Sequence, residues 1–296
     1  MLGSLVTLTG GGGASAQPGD AGFTLAAPRA TARLVAEHAA LRAGETEYLA
    51  LTFEMEPGWH MYWRSHNATG MGPKVTWTLP SGFAVGEGQW PTPRRQVLPG
   101  DILDHIYEDR LTIVFPVTVP KGAAGTTASL AASVRWMICS DECVLERQDV
   151  ALSVPLEASA ESSPGAGPTA RARSADASLF DDARRDRARP WSESRGVVGV
   201  RATRSGGTVR AEFHAPGASG LEFIPDDACA TPRDLVGQGG ATGEKLGVEF
   251  AAAQAGATRI EGIVRVTHPS RAPASFRVEL EVPVERGPSP ETSGGR

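Results

Sequence analysis

Alternating hydrophobic and polar positions run through the first half of the chain. In Arg110–Val119 every second residue along the sequence is apolar, and Lys74–Leu79 shows the same pattern. A period of two places the apolar side chains on one face of a β-strand. Turn signals such as Pro57-Gly58 separate such segments, which predicts a β-sandwich over residues 23–156. The predicted strands are Ala30–His38, Thr46–Met55, Trp59–Trp63, Lys74–Leu79, Arg110–Val119, Ser129–Ile138 and Val144–Leu156.

The same alternation returns in a second β region, residues 195–286. Val209, Ala211 and Phe213 alternate with charged or polar neighbours. The pattern predicts a second, smaller sandwich, so the expected fold class is all-β. No sequence repeat connects the two halves. The predicted strands are Gly196–Thr203, Thr208–His214, Leu221–Pro225, Gly247–Ala252, Arg259–Thr267 and Ser275–Val284.

The segment between the two regions, residues 157–194, has the composition of a linker. Glu157–Arg173 is rich in Ala, Ser, Pro and Gly, which favour irregular chain. Ala177–Ala188 predicts a short helix with Ser178 as a candidate N-cap. Its many charges predict an exposed, solvated connector helix rather than a docking patch.

The two ends of the chain carry no fold signal. Residues 1–22 hold a short apolar stretch and then Ala14-Ser15-Ala16, which resembles a signal-peptidase site, although no positively charged n-region precedes it. We therefore expect export to the bacterial periplasm. Residues 287–296 form a polar tail. No window approaches 18 consecutive apolar residues, so a protein that is not membrane-embedded is expected.

Composition narrows the functional class. Hydrophobic residues make up 41% and charged residues 21% of the 296, which argues against wholesale disorder. Lys and Arg number 29 against 34 Asp and Glu, and this net charge of −5 disfavours nucleic-acid binding. Gly10–Gly13 lacks the Lys-Ser/Thr of a phosphate loop. We expect no cofactor and a monomer.

The candidate chemistry lies in the cysteines. Cys139 and Cys143 form a close pair, whereas Cys229 stands alone. The pair admits three interpretations: a structural disulfide worth about 2 kcal/mol for so short a loop, a zinc site needing two further ligands, or a redox pair at an accessible hairpin end. Asp141 and Glu142 between the cysteines should raise the thiol pKa and make the couple more reducing.

Four motifs carry a family resemblance, which runs from about Ala30 to Leu156. The chain resembles the N-terminal periplasmic domain of the DsbD/ScsB thiol:disulfide reductases. The second sandwich is similar, more weakly, to the two-sandwich N-terminal region of the ScsB branch. The motifs are Pro57-Gly-Trp-His-Met-Tyr-Trp-Arg64, Trp77-Thr-Leu-Pro80, Trp90-Pro-Thr-Pro93 and Trp136-Met-Ile-Cys139 followed by Cys143.

The resemblance implies two immunoglobulin-like sandwiches and a redox function. Family members take electrons from a transmembrane reductase and pass them to periplasmic thioredoxin-fold proteins. By this analogy Cys143 attacks a partner's disulfide and Cys139 resolves the mixed disulfide. The ScsB-type relatives also suggest a link to copper tolerance. The alternative is a non-catalytic periplasmic binding module in which Cys139–Cys143 is a structural disulfide.

Some positions depart from the family pattern. The membrane helices and thioredoxin-like domain of full reductases do not follow in this sequence, so a separately encoded electron donor is expected. Ser65–Gly70 replaces a Gly-Asp-Ser-Gly type run, and Gly100–Tyr107 lies where an aromatic cap loop is expected, with Tyr107 as a possible strand residue instead. His60 is expected to be half-buried and hydrogen-bonded, and Trp136 to lie in the core.

Overall fold

The computed structural model describes residues 27–123, 125–159 and 171–283. The predictions for the signal-like segment, for part of the linker and for the polar tail lie outside these residues. In the described residues the regular secondary structure is mostly β-strand, with 56% strand and 7% helix, which confirms the all-β fold class. Within the described residues no helix is long and apolar enough to cross a membrane.

The first sandwich pairs a four-stranded sheet with a seven-stranded sheet. The four-stranded sheet has the order β1-β3-β9-β6, and the other has the order β2-β11-β10-β4-β8-β7 with β5 beside β10. Phe53 and Trp136 meet edge to face between the sheets, 5.3 Å apart, as expected of a core tryptophan. The strands are β1 (Ala30–Ala36), β2 (Leu41–Arg42), β3 (Thr46–Met55), β4 (His60–Tyr62), β5 (Lys74–Thr78), β6 (Ala84–Val85), β7 (Arg94–Leu98), β8 (Ile102–Glu108), β9 (Arg110–Thr118), β10 (Thr127–Cys139) and β11 (Cys143–Glu157).

The second sandwich pairs a five-stranded sheet with a three-stranded sheet. Their orders are β12-β19-β18-β15-β16 and β13-β14-β17. Phe213, Phe223 and Phe250 fill its centre. That the two sandwiches fold as separate domains stays a prediction. The strands are β12 (Arg189–Pro190), β13 (Gly199–Ser205), β14 (Thr208–His214), β15 (Gly220–Pro225), β16 (Gly240–Thr242), β17 (Lys245–Ala251), β18 (Thr258–His268) and β19 (Arg271–Val282), with a helical turn α2 at Leu235–Gln238 and a 3₁₀ turn at Trp191–Ser194.

Helix α1 spans Ala177–Asp186, and two expectations about it are wrong. Ser178 lies inside the helix rather than at its N-cap. The helix is also docked, because Phe180 is fully buried among residues on the outer face of the four-stranded sheet. Arg184 fixes this position by donating two 2.6 Å hydrogen bonds to the buried carboxylate of Glu37. Arg184 is one of the charged residues on which the prediction of a solvated connector was based, and it instead binds the helix to the first sandwich.

Strand β8 occupies the region where a cap loop was expected. Residues 103–107 are all buried, Asp104 and His105 included, so the strand shows no hydrophobic alternation. Tyr107 faces the sandwich core, and its hydroxyl donates to the carbonyl of Pro91 at 2.8 Å. Tyr107 is therefore a strand residue on the core side and does not cover the cysteines.

Candidate functional site

The cysteine pair closes a long β-hairpin. Strands β10 and β11 pair continuously from Thr127↔Pro155 to Cys139↔Cys143. Cys139 and Cys143 are joined by a disulfide, and the turn between them is held by a 3.0 Å bond from Ser140 N–H to the carbonyl of Glu142. The hairpin pairing thus brings the two cysteines opposite each other.

The two cysteines differ sharply in accessibility. Cys139 is only 2% exposed, in a small cluster with Tyr62 and Ile106, whereas Cys143 is exposed. Because alternate residues face opposite sides of a sheet, Ile138 points into the sandwich core and Cys139 points to the opposite face. A partner can therefore reach Cys143, and Cys139 lies behind it.

Tyr62 is the aromatic side chain against the disulfide. It lies on β4, which is hydrogen-bonded to β10 at Cys139, and it is 1% exposed. Its hydroxyl lies 3.9 Å from Cys143 Sγ and 3.1 Å from Thr69 Oγ1. Burial raises the pKa of Tyr62, which keeps the phenol protonated.

The segment Arg64–Gly70, named here the 64–70 loop, holds Tyr62 in place. Ala68 N–H and Thr69 N–H donate to Oδ1 of the buried Asp104 at 2.8 and 3.0 Å. The Thr69 hydroxyl donates to Asp104 Oδ2 at 2.7 Å. Since this uses the only proton of that hydroxyl, Tyr62 must be the donor in its bond to Thr69.

The same network orients His60. Its Nε2 lies 3.3 Å from the Tyr62 hydroxyl, whose own proton is directed at Thr69, so Nε2 carries the proton and donates. Burial is the main cause that lowers the pKa of His60 and favours the neutral ring. The expectation of a half-buried, hydrogen-bonded histidine is confirmed.

Other predicted residues have plainer positions. Asp141 and Glu142 are exposed at the hairpin turn, and their effect on the thiols stays a prediction. Cys229 is unpaired and partly buried, as expected, and burial raises its pKa to about 12. Among the described residues, no three His, Cys, Asp or Glu side chains are grouped to hold a metal ion.

The roles of Thr69 and Asp104 were not predicted from the sequence. Asp104 interrupts the apolar residues of β8, and a buried carboxylate needs hydrogen-bond donors. That signal could have identified a strand with a polar network, but its donors lie in a loop more than 30 residues earlier.

Comparison with known proteins finds a family model that matches the residues around the cysteine pair. Residues 31–155 match the family model described as thiol:disulfide interchange protein DsbD, N-terminal. Over this stretch, which is less than half of the chain, the protein is similar to the DsbD N-terminal domain family. In this DsbD-type domain the cysteine pair, Tyr62 and the 64–70 loop all fall within the matched residues.

Solved structures extend the likeness beyond the DsbD-type domain. The N-terminal periplasmic domain of ScsB from Proteus mirabilis matches with a TM-score of 0.53 at 16% identity, covering 86% of this chain and 92% of that chain. The fold likeness therefore includes both sandwiches. The reduced DsbD N-terminal domain of Neisseria meningitidis matches at 15% identity and a TM-score of 0.27, over 41% of this chain and 84% of its own. None of the curated proteins matches this chain.

Proposed function

We propose that this protein exchanges thiols and disulfides through Cys139 and Cys143. The observation that carries the proposal is the unequal exposure of the two cysteines at a hairpin end. Disulfide exchange needs an accessible sulfur for the mixed disulfide and a second thiol within reach to resolve it. Cys143 and Cys139 supply these two roles in that order.

The exchange proceeds in two displacements. In the reduced protein the Cys143 thiolate attacks one sulfur of a partner's disulfide, and the partner's other sulfur leaves as a thiolate. The Cys139 thiolate then attacks Cys143 Sγ and closes the Cys139–Cys143 bond. The partner sulfur that Cys143 had attacked leaves as a thiolate. Two electrons pass to the partner, and a dithiol donor returns two electrons by the reverse displacements.

A structural role for the disulfide has less support. The hairpin is already held by thirteen register pairs, of which the cysteines are only the last. Closing a loop of about five residues adds only about 2 kcal/mol on the chain-entropy estimate. We therefore expect the fold to survive opening of this bond, which supports a role in exchange.

The proposed setting is the periplasm. A disulfide persists in an oxidising compartment, and Ala14-Ser15-Ala16 has the form of a signal-peptidase site. The partners proposed on family resemblance are a transmembrane reductase as electron donor and periplasmic thioredoxin-fold proteins as acceptors. No cofactor takes part in the exchange.

Single-cysteine variants test the roles. Reduced Cys139→Ala retains Cys143, and reduced Cys143→Ala retains Cys139 as the matched control. We expect Cys143 to react with dithionitrobenzoate on the order of tenfold faster than Cys139, because only Cys143 is exposed. Incubation of Cys139→Ala with an oxidised thioredoxin-fold protein should accumulate a mixed disulfide. Equal reactivity of the two thiols, or an inert Cys143 in the folded protein, would contradict the assignment.

A further inference from the structure

The 64–70 loop joins the second sandwich to the cysteine pair. Its first three residues bind the second sandwich, and Ala68 and Thr69 bind the network around Tyr62. A change at one end of so short a segment therefore alters the other end. Asp226, at the end of β15, is the principal contact on the second sandwich.

Asp226 is a buried ionic anchor. It is 5% exposed and accepts hydrogen bonds from Arg64 Nη2 at 2.6 and 2.5 Å and from Arg277 Nη2 at 2.7 Å. A carboxylate buried this deeply is stable only because both guanidinium groups compensate its charge. Arg64 lies two residues after Tyr62, the last residue of β4. The ion pair therefore fixes the start of the loop.

Two more bonds continue the attachment. Ser65 Oγ donates to the carbonyl of Pro225 at 3.3 Å, and His66 Nε2 lies 3.1 Å from the carbonyl of Asp226. Asn67 then turns the chain by donating to the carbonyl of Trp63 at 2.7 Å and accepting from His105 N–H at 2.9 Å. From this point the loop faces the Asp104 network.

We infer that Asp226 is a positioning residue for the cysteine pair, acting through Arg64, Thr69 and Tyr62. The inference rests on the proposed function and adds to it a role for the second sandwich. With the ion pair intact, Thr69 holds the Tyr62 hydroxyl, and the Tyr62 ring covers Cys139. Without it, the loop opens more often and the disulfide bond becomes more accessible to an attacking thiolate.

Two neighbouring aspartates provide a matched pair of variants. Asp226→Asn and Asp227→Asn each remove one negative charge from adjacent positions, but Asp227 is exposed and its side chain makes no contact with Arg64. The measurement is the second-order rate constant for reduction of Cys139–Cys143 by dithiothreitol in the full chain, well below the melting temperature. We expect Asp226→Asn to raise it on the order of tenfold, which corresponds to about 1.4 kcal/mol, with Asp227→Asn like wild type.

The outcomes separate the two claims. Equal rates in both folded variants would overturn the positioning role, even if Asp226→Asn melts at a lower temperature. If Asp226→Asn does not fold, Arg64→Lys decides, because it keeps the charge but loses the guanidinium contact, and a wild-type rate in it overturns the role. A wild-type disulfide that resists reduction until the protein unfolds would instead defeat the proposed function itself.

Discussion

Gly70 provides a steric test of the cover over the disulfide. A Cβ added there would lie closer than 3.0 Å to three atoms of the Tyr62 ring, a separation that real contacts do not allow. Tyr62 is only 1% exposed, so Gly70→Ala must displace its ring or shift the loop. Forcing a methyl group into a packed site costs about 1–3 kcal/mol.

The displaced ring should also change reactivity. Tyr62 would lose its bond to Thr69 and its position beside Cys143, so dithiothreitol should reduce Gly70→Ala several-fold faster than wild type. Alkylation of quenched samples followed by mass spectrometry gives the rate, and urea unfolding gives the stability. Gly122→Ala is the control, because an added Cβ there meets nothing within 4 Å. Wild-type stability together with a wild-type reduction rate in Gly70→Ala would refute the reasoning.

Three further predictions concern stability. The double variant Cys139→Ser, Cys143→Ser should stay folded and lose only about 2 kcal/mol, measured by urea unfolding; loss of the fold would contradict this. Phe180→Ala should cost about 3–5 kcal/mol in the same assay, since Phe180 anchors α1, and a cost below about 1 kcal/mol would mean that α1 is not docked. Hydrogen bonding by Arg184 lowers the pKa of Glu37 from its ordinary 4.5. The ionised Glu37 carboxylate therefore stabilises the fold fully above pH 4.5, and this stabilisation is lost as the pH falls through the lowered pKa of the folded protein. The stability gap between wild type and Glu37→Gln should therefore shrink on acidification, and a constant gap would contradict the assignment.

Hydrophobic alternation was a good guide to the strands with one buried face. β9, β10, β14 and β19 lie within a few residues of their predicted bounds, because each alternates regularly. β8 was missed because the 64–70 loop covers its outer face, so polar residues there are buried as well. Short edge strands such as β6 have too few residues to show any period.

Docking of α1 and the make-up of the site depend on non-local contacts. The motif around Cys139 predicted the reacting pair and its place at a hairpin end. It did not predict that Tyr62 lies beside Cys143, because this follows from the pairing of β4 with β10 across more than 70 residues. The attachment to Asp226 joins positions 162 residues apart and has no local signal.

The most direct test of the exchange function is an equilibrium titration of the full chain in graded dithiothreitol buffers. Alkylation and mass spectrometry report the redox state of Cys139 and Cys143, while circular dichroism and melting curves report the fold. We predict a reversible two-electron transition with the β-sheet spectrum retained and a fall in melting temperature of only about 4–8 °C. A disulfide that is reduced only as the protein unfolds would contradict the exchange function and identify the bond as structural.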